Sequence, residues 1–105
     1  MPTELIKMIN IVAILKVKNR QAFDEFESKA ISILRSYNGE LITAFEPEKH
    51  EKVEVHFIQF PTMSEFSNYK KAPELEALGE LRLKAIQSTK IYVSEKVKKY
   101  ESDSK

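Results

Sequence analysis

The sequence contains no cysteine, so disulfide bonds, thiolate metal sites and a cysteine nucleophile are all excluded. It has two histidines, and neither falls on a predicted helix, where an i, i+4 pair could bind zinc. Gly39 and Gly79 are its two glycines, too far apart in the chain to build a phosphate-binding loop. We therefore expect neither a metal ion nor a bound cofactor.

Two further absences concern the partners of the chain. The 17 basic side chains are balanced by 16 acidic ones, so the basic surplus typical of nucleic-acid-binding proteins is missing. No apolar run approaches the ~20 residues that a membrane-spanning helix requires. The N-terminal residues MPTELIK also lack the pattern of a signal peptide. We therefore expect a cytoplasmic protein that binds neither nucleic acid nor membrane.

Four stretches have the composition of β-strands, because they are rich in β-branched and aromatic residues. These stretches are residues 8–17, 40–46, 52–60 and 89–95. The first of them, MINIVAILKV, is apolar on both alternating faces, which is typical of a strand buried on both sides. The sequence therefore predicts four strands with a strongly buried first strand.

Two helical patterns separate the strands. The first begins after Asn19, a suitable N-cap, and ends at Gly39, where we expect a left-handed residue. The second starts with a capping box of Thr62 and Glu65 and is kinked at Pro73, since proline disfavours helical geometry at the residue before it. The order strand, helix, strand, strand, helix, strand predicts a ferredoxin-like α+β fold, a four-stranded antiparallel sheet with both helices on one face.

Two helices cover only one face of such a sheet. The residues that we assign to the covered face are Ile9, Ile11, Ala13, Leu15, Val53, Val55 and Phe57. The residues then left on the uncovered face are Met8, Asn10, Val12, Ile14, His56, Ile58, Phe60 and Tyr92. A water-facing sheet would carry more polar residues, and large apolar patches usually mark interfaces. We therefore expect residues 1–96 to form one domain that makes a homodimer through this face, followed by an exposed charged tail, residues 97–105. The alternative is that the tail covers this face.

His56 is the candidate for proton transfer, because an unperturbed imidazole titrates near neutral pH. On the same assumed face, Asn10, Glu54 and Tyr92 supply groups that could orient a small polar ligand. The alternative is that His56 forms a hydrogen bond at a dimer interface and has no part in chemistry.

Arg82 and Tyr69 lie in the kinked second crossover and are further candidate ligand contacts. The guanidinium fork of Arg82 suits a carboxylate or a phosphate. The alternative for Arg82 is an ion pair with Glu74, Glu76 or Glu80, or a cap on a strand end. The alternative for Tyr69 is ordinary core packing.

Residues 57–86, FIQFPTMSEFSNYKKAPELEALGELRLKAI, resemble a family of small bacterial proteins catalogued as domain of unknown function thirteen-thirty, in the dimeric α/β-barrel superfamily. The matching pairs are Phe60-Pro61, Asn68-Tyr69, Pro73-Glu74 and Leu81-Arg82. Two positions depart from the family pattern: Gln59 replaces a common acidic residue, and Leu75 replaces a tyrosine at the kink. The resemblance covers most of residues 8–95 and implies the ferredoxin-like fold and the dimeric α/β barrel, without a settled activity.

Three functions stay open at this point. The first is a homodimeric α/β-barrel protein that binds a small apolar or aromatic molecule in or beside the barrel. The second is a cofactor-independent monooxygenase or isomerase, as in several superfamily relatives, with His56 moving protons. The third, an RNA-binding module, shares the strand order, but its third strand needs glycines and an aromatic residue where this chain has Val55.

Overall fold

Four strands form one antiparallel sheet in the computed structural model, which describes residues 8–50, 52–98 and 100. The elements are β1 Ile9–Val17, α1 Arg20–Ser36, β2 Glu40–Phe45, β3 Val53–Phe60, α2 Met63–Lys70, α3 Pro73–Glu76, α4 Gly79–Ala85 and β4 Ile86–Ser94. The strand order is β2-β3-β1-β4, with β1 and β3 in the centre. This arrangement confirms the predicted ferredoxin-like α+β fold, and the sheet is open.

The two central strands bury alternate residues beneath the helices. On β1 the residues of the covered face are the predicted ones, from Ile9 to Leu15, and Val17 continues the series. On β3 the predicted face is wrong. The register pairs Ile9 with Phe60 and Ala13 with His56, and directly opposed residues of antiparallel strands share a face. The covered residues of β3 are therefore Glu54, His56, Ile58 and Phe60, whereas Val53, Val55 and Phe57 lie on the uncovered face.

Helix α1 begins where the sequence predicts and ends differently. The side chain of Asn19 accepts a hydrogen bond from the backbone N–H of Ala22 at 2.8 Å, which confirms the N-cap. After the helix, the left-handed residue is Asn38, with φ of 68°, and the expectation for Gly39 is wrong. Asparagine tolerates this conformation. Gly39 is required for space instead, since a Cβ there would lie 2.6 Å from Cζ of Phe60.

The second crossover is interrupted twice. The Thr62 hydroxyl accepts a hydrogen bond from the backbone N–H of Glu65 at 3.1 Å, as the capping box predicts. The break before Pro73 is also confirmed. A second break, which the sequence analysis did not predict, separates α3 from α4. There the backbone N–H of Leu78 donates to the carbonyl of Leu75 at 3.0 Å, closing a tighter turn than the α-helix.

The hydrophobic core consists of two clusters, both between the helices and the covered face of the sheet. The first joins β1, α1, α4 and the start of β4 and consists of Ala13, Leu15, Val17, Phe23, Phe26, Ala30, Ala85 and Ile86. The second joins β1, α1, β3 and α2 and consists of Ile9, Ile11, Leu34, Phe60 and Phe66. A core divided in this way leaves space where the clusters meet.

The C-terminal end of the described chain is exposed, as at Val97 and Tyr100. The rest of the predicted tail, residues 99 and 101–105, lies outside the described residues, so the boundary of that tail stays a prediction. None of the helices within the described ranges is long and apolar enough to cross a membrane.

Candidate functional site

A partly enclosed cavity of about 110 Å³ lies between the sheet and helices α1 and α2. Residues of both core clusters line it, so it occupies the place where the two clusters meet. Its walls are mostly apolar, and its polar residues are Glu27, His56, Tyr69 and Thr89. For comparison, an apolar cavity of about 150 Å³ is large enough to bind benzene. The space is therefore on the scale of one aromatic ring.

His56 is held between two carboxylates on the covered face of β3. It is buried, with 4% of its surface exposed. Its Nε2 lies 2.8 Å from Oε2 of Glu54, whose Oε1 accepts a hydrogen bond from Nη1 of Arg20 at 3.0 Å. On the other side, Nδ1 of His56 lies 3.7 Å from Oε1 of Glu27. An ionised carboxylate only accepts hydrogen bonds, so Glu54 holds a proton on Nε2, and Nδ1 faces Glu27.

Arg20 fixes the outer end of this row of side chains. Besides Glu54 it contacts Glu46, with 3.1 Å between Nη2 and Oε2, and its guanidinium lies 5.2 Å from the ring centroid of Phe23. Because Arg20 is anchored at several points, Glu54 has little freedom to leave His56. In the described part of the chain, no three acidic or histidine side chains are arranged to hold a metal ion.

Burial raises the pKa of two polar residues that line the cavity, Glu27 and Tyr69. Burial raises the pKa of the Glu27 carboxyl, Glu54 adds to the rise, and the positive fields of His56 and Arg82 oppose it. Burial, with a smaller contribution from Glu27, raises the pKa of Tyr69 to about 12. Tyr69 therefore keeps its proton at physiological pH and is a hydrogen-bond donor.

Glu27→Gln is expected to stabilise the folded protein at neutral pH. Because the pKa of Glu27 is raised above its ordinary value of 4.5, its contribution to stability is present below that value and is lost as the pH rises through the folded-state pKa. At pH 7 the ionised, partly buried carboxylate therefore lowers the free energy of unfolding, and glutamine removes this penalty. We expect a gain in the free energy of unfolding above ~0.5 kcal/mol, the usual scatter of surface substitutions.

Urea denaturation between pH 7 and pH 4 checks this expectation, with Glu25→Gln as the control on the exposed face of α1. The advantage of Glu27→Gln should shrink as the pH falls toward 4.5, the ordinary value for a glutamate. A gain that is independent of pH, or equal in the control, would contradict the assignment.

The structure brings three of the six predicted site residues together and places a fourth beside them. His56 and Tyr69 line the cavity, and Glu54 lies directly behind His56. Arg82 is exposed at the rim, where its Nη2 donates to Oγ1 of Thr89 at 3.0 Å. Among the described residues, no carboxylate forms an ion pair with Arg82, so the alternative of a glutamate partner is wrong.

Asn10 and Tyr92 lie on the opposite face of the sheet, so grouping them with His56 and Glu54 is wrong. Asn10 accepts a hydrogen bond from Nε2 of Gln59 at 2.8 Å. Tyr92 is exposed and stands beside β1 in register with a residue of the uncovered face. The error follows from the inverted face of β3, because successive residues of a strand point to opposite faces.

Three residues of the site were not among the predicted ones: Glu27, Thr89 and Arg20. Glu27 carried a usable signal, because it lies four residues after Phe23 and three before Ala30 on the inward side of α1. A carboxylate inside an apolar stripe is unusual enough to be noted. Thr89 and Arg20 carried no such signal, since their roles depend on contacts with distant elements.

The uncovered face of the sheet carries an apolar patch, as predicted, although its members on β3 differ. Polar residues such as Asn10, Gln59 and Lys90 share the face with this patch. Val12 and Ile14 of β1 are half-buried there. Phe45 and Phe57 are in contact, with ring centroids 6.1 Å apart, and are 47% and 37% exposed. We call this surface the uncovered sheet face, defined by Val12, Ile14, Phe45, Val55, Phe57 and Tyr92.

The fold and the cavity define a ferredoxin-like α+β domain with a small-molecule-sized space beneath its helices. Residues 9–97 match the family described as Domain of unknown function (DUF1330), and the chain belongs to that family. A comparison with curated proteins gives no match.

Several solved structures have a similar fold. One is a candidate antibiotic biosynthesis monooxygenase from Caulobacter crescentus, with a TM-score of 0.73, 15% identity, and coverage of 88% of this chain and 92% of that one. A second protein of the same description, from Nitrosomonas europaea, has a TM-score of 0.72, 11% identity, and coverage of 91% and 96%. A nipsnap family protein of unknown function from Agrobacterium tumefaciens has a TM-score of 0.67, 17% identity, and coverage of 89% and 91%. At these identities the similarity concerns the fold alone.

Proposed function

We propose that the protein binds a small, mostly apolar molecule in the cavity beneath its helices, with the polar end of the molecule against Glu27, His56 and Tyr69. The observation that carries this proposal is the cavity itself, which combines apolar walls with a few polar groups at one place. That composition is typical of small-molecule sites. The sequence predicts the same class of ligand. The proposed site differs from the predicted one in its position, because it lies on the helix-covered side of the sheet and not on the uncovered sheet face.

The small residues of the cavity wall support the proposal. Ala13 on β1 and Ala30 on α1 are both buried and both line the cavity. Protein interiors are normally close-packed, and unfilled volume lowers stability. A cavity kept open by small side chains is therefore more easily explained when an occupant fills it.

Ala30→Leu is expected to weaken the binding of small aromatic probes such as phenol and toluene by at least roughly tenfold, or ~1.4 kcal/mol. The added methyl groups would occupy the volume that the probe needs. The variant should stay folded, because its extra atoms enter unfilled space. Isothermal titration calorimetry measures the affinity directly, and the shift of melting temperature with probe concentration confirms it.

Ala77→Leu is the matched control, since Ala77 is exposed and lies between α3 and α4. It should bind the probes like the wild type. Equal losses in both variants, or unchanged affinity in Ala30→Leu, would contradict a site in this cavity.

We also propose that two chains form a homodimer through the uncovered sheet face. The apolar residues of β1, β2 and β3 on this face are not covered by any described helix. Burying about 500 Å² of apolar surface would contribute roughly 12 kcal/mol before the losses of association. Each chain would then carry its own cavity on the outer, helix-covered side of the paired sheets.

A second candidate function is catalysis without a cofactor, of the monooxygenase or isomerase type. The observation that favours it is the row of contacting side chains that runs from Arg20 through Glu54 to His56 at the cavity. An imidazole oriented by a carboxylate in this way is a common general base. His56 would accept a proton from an acidic O–H or C–H of the bound molecule through Nδ1. The solved structures described as candidate monooxygenases share the fold and lend the idea only that analogy.

A His56→Ala variant separates the two functions. If it keeps its fold and its probe affinity but loses turnover of a quinol or a lactone, the protein is an enzyme. If the folded variant behaves like the wild type in the same assay, binding without turnover is the function that remains.

A further inference from the structure

The cavity is lined by hydrogen-bonding groups that the described chain does not use. The carboxylate of Glu27 has His56 Nδ1 as its nearest charged partner, at 3.7 Å, which is too long for a hydrogen bond. Among the described residues, the hydroxyl of Tyr69 also forms no hydrogen bond. By contrast, Glu54 is bonded to both Arg20 and His56. Besides Nδ1 of His56, which faces Glu27, the unused groups at the cavity include an acceptor at Glu27 and a donor at Tyr69.

Both groups are reachable by a molecule in the cavity. No fully buried side-chain nitrogen or oxygen in the described ranges lacks a hydrogen-bond partner. Since the Glu27 carboxylate and the Tyr69 hydroxyl have no such partner there, their oxygens keep some accessible surface. Both side chains line the same cavity, and the two interact electrostatically, because the charge of Glu27 contributes to the raised pKa of Tyr69.

The charges around the cavity disfavour an ionised ligand. An anion would be repelled by Glu27, and the partly buried Glu54 lies close behind His56. A cation would be attracted by Glu27, but it would lose its hydration among mostly apolar walls, and Arg82 at the rim would oppose it. A neutral polar group avoids these losses, and a hydroxyl is a small neutral group that both donates and accepts a hydrogen bond.

We propose that the ligand of this cavity carries a hydroxyl group, which donates to Glu27 and accepts from Tyr69, on an apolar body about the size of one aromatic ring. This assignment rests on the proposed binding function and specifies its ligand class. The Tyr69 ring itself packs against Phe60, with centroids 5.6 Å apart, so its position does not depend on the hydroxyl.

Phenol and toluene are suitable probes, because they have similar sizes and differ in the hydroxyl. We expect Tyr69→Phe to weaken phenol binding about threefold to tenfold, the usual effect of losing one hydrogen bond. Glu27→Gln should weaken it by about threefold, because the glutamine oxygen still accepts a hydrogen bond but without the charge that strengthens it. Toluene binding should change by less than about twofold, since it cannot make either bond. Calorimetric titration of both probes against each variant measures these ratios.

Tyr37→Phe is the matched control, because its hydroxyl donates to Oε1 of Glu74 outside the cavity, at 3.0 Å. It should leave phenol affinity unchanged. If Tyr69→Phe does not fold, Glu27→Gln provides the same comparison.

The outcomes separate this inference from the function on which it rests. If both probes bind the wild type but phenol and toluene respond equally to the substitutions, the hydroxyl assignment is wrong and the binding function stands. If phenol is unaffected by both substitutions, water occupies the polar end and the assignment is again wrong. If neither probe binds the wild type up to its solubility limit, the binding function is overturned together with the assignment.

Discussion

Phe57→Asp is expected to convert the proposed dimer into monomers at micromolar concentration. Phe57 lies near the middle of the uncovered sheet face, opposite Val12 on β1 and in contact with the ring of Phe45. A substitution in a symmetric interface enters it twice, and disrupting a central aromatic position costs about 2 kcal/mol or more each time. The dissociation constant should therefore rise about a thousandfold, or ~4 kcal/mol.

Leu83→Asp is the control for this prediction. Leu83 is 69% exposed on α4, on the helix-covered side of the molecule, so the same kind of charge there should leave the dimer intact. Sedimentation velocity over a concentration series measures both variants. A wild-type chain that sediments as a folded monomer, or equal dissociation in the two variants, would contradict the proposed interface.

Gly39→Ala is expected to lower the free energy of unfolding by about 3 kcal/mol, at the upper end of the range for overpacking a core. A Cβ at Gly39 would lie 2.6 Å from Cζ of Phe60 and 2.8 Å from Cγ of Leu34. Phe60 is fully buried and packs against Phe66, with centroids 5.4 Å apart, so it has little room to move. The substitution would therefore displace a wall of the cavity as well.

Gly79→Ala is the matched control and should have the opposite sign. No atom lies within 4 Å of a Cβ built there, and Gly79 begins α4, where alanine is the better helix former. We expect a gain of up to about 0.5–1 kcal/mol. Urea denaturation at one fixed protein concentration compares the two, because stability and dimerisation are linked. Equal effects of both substitutions would show that Gly39 is not sterically constrained.

The sequence was sufficient to predict most of the elements, because these are specified by local signals. The N-caps Asn19 and Thr62 and the break before Pro73 act through neighbouring backbone groups, and each was placed correctly. The second break, before Gly79, was not predicted, since leucines on both sides continue the helical spacing. The end of α1 shows the same limit: asparagine and glycine both tolerate a left-handed backbone, and packing against Phe60 decided between them.

The face of β3 could not be read from its own composition. Both alternating sets of this strand contain apolar residues, so periodicity gives no preference. The face is set by the register with β1, and by polar partners from α1 that make the inward side acceptable for Glu54 and His56. A salt-bridged Arg20 and a nearby Glu27 come from a different element, which single-sequence patterns do not position.

The candidate site was predicted in its chemistry and misplaced in space. His56, Glu54 and Tyr69 were chosen for their functional groups, and these do converge. They converge beneath the helices, and Asn10 and Tyr92 are left on the other face. In our proposals, the covered face provides the ligand site and the uncovered face provides the contact with a second chain.

The most direct test of the proposed cavity site is a methyl-labelled NMR titration of the wild-type protein with phenol. Leu15, Ile31 and Leu34 line the cavity, whereas Val12 and Ile14 lie on the uncovered sheet face. We predict saturable shifts at the three cavity residues and none at the other two. Shifts confined to the uncovered face, or the absence of any saturable shift, would contradict the account.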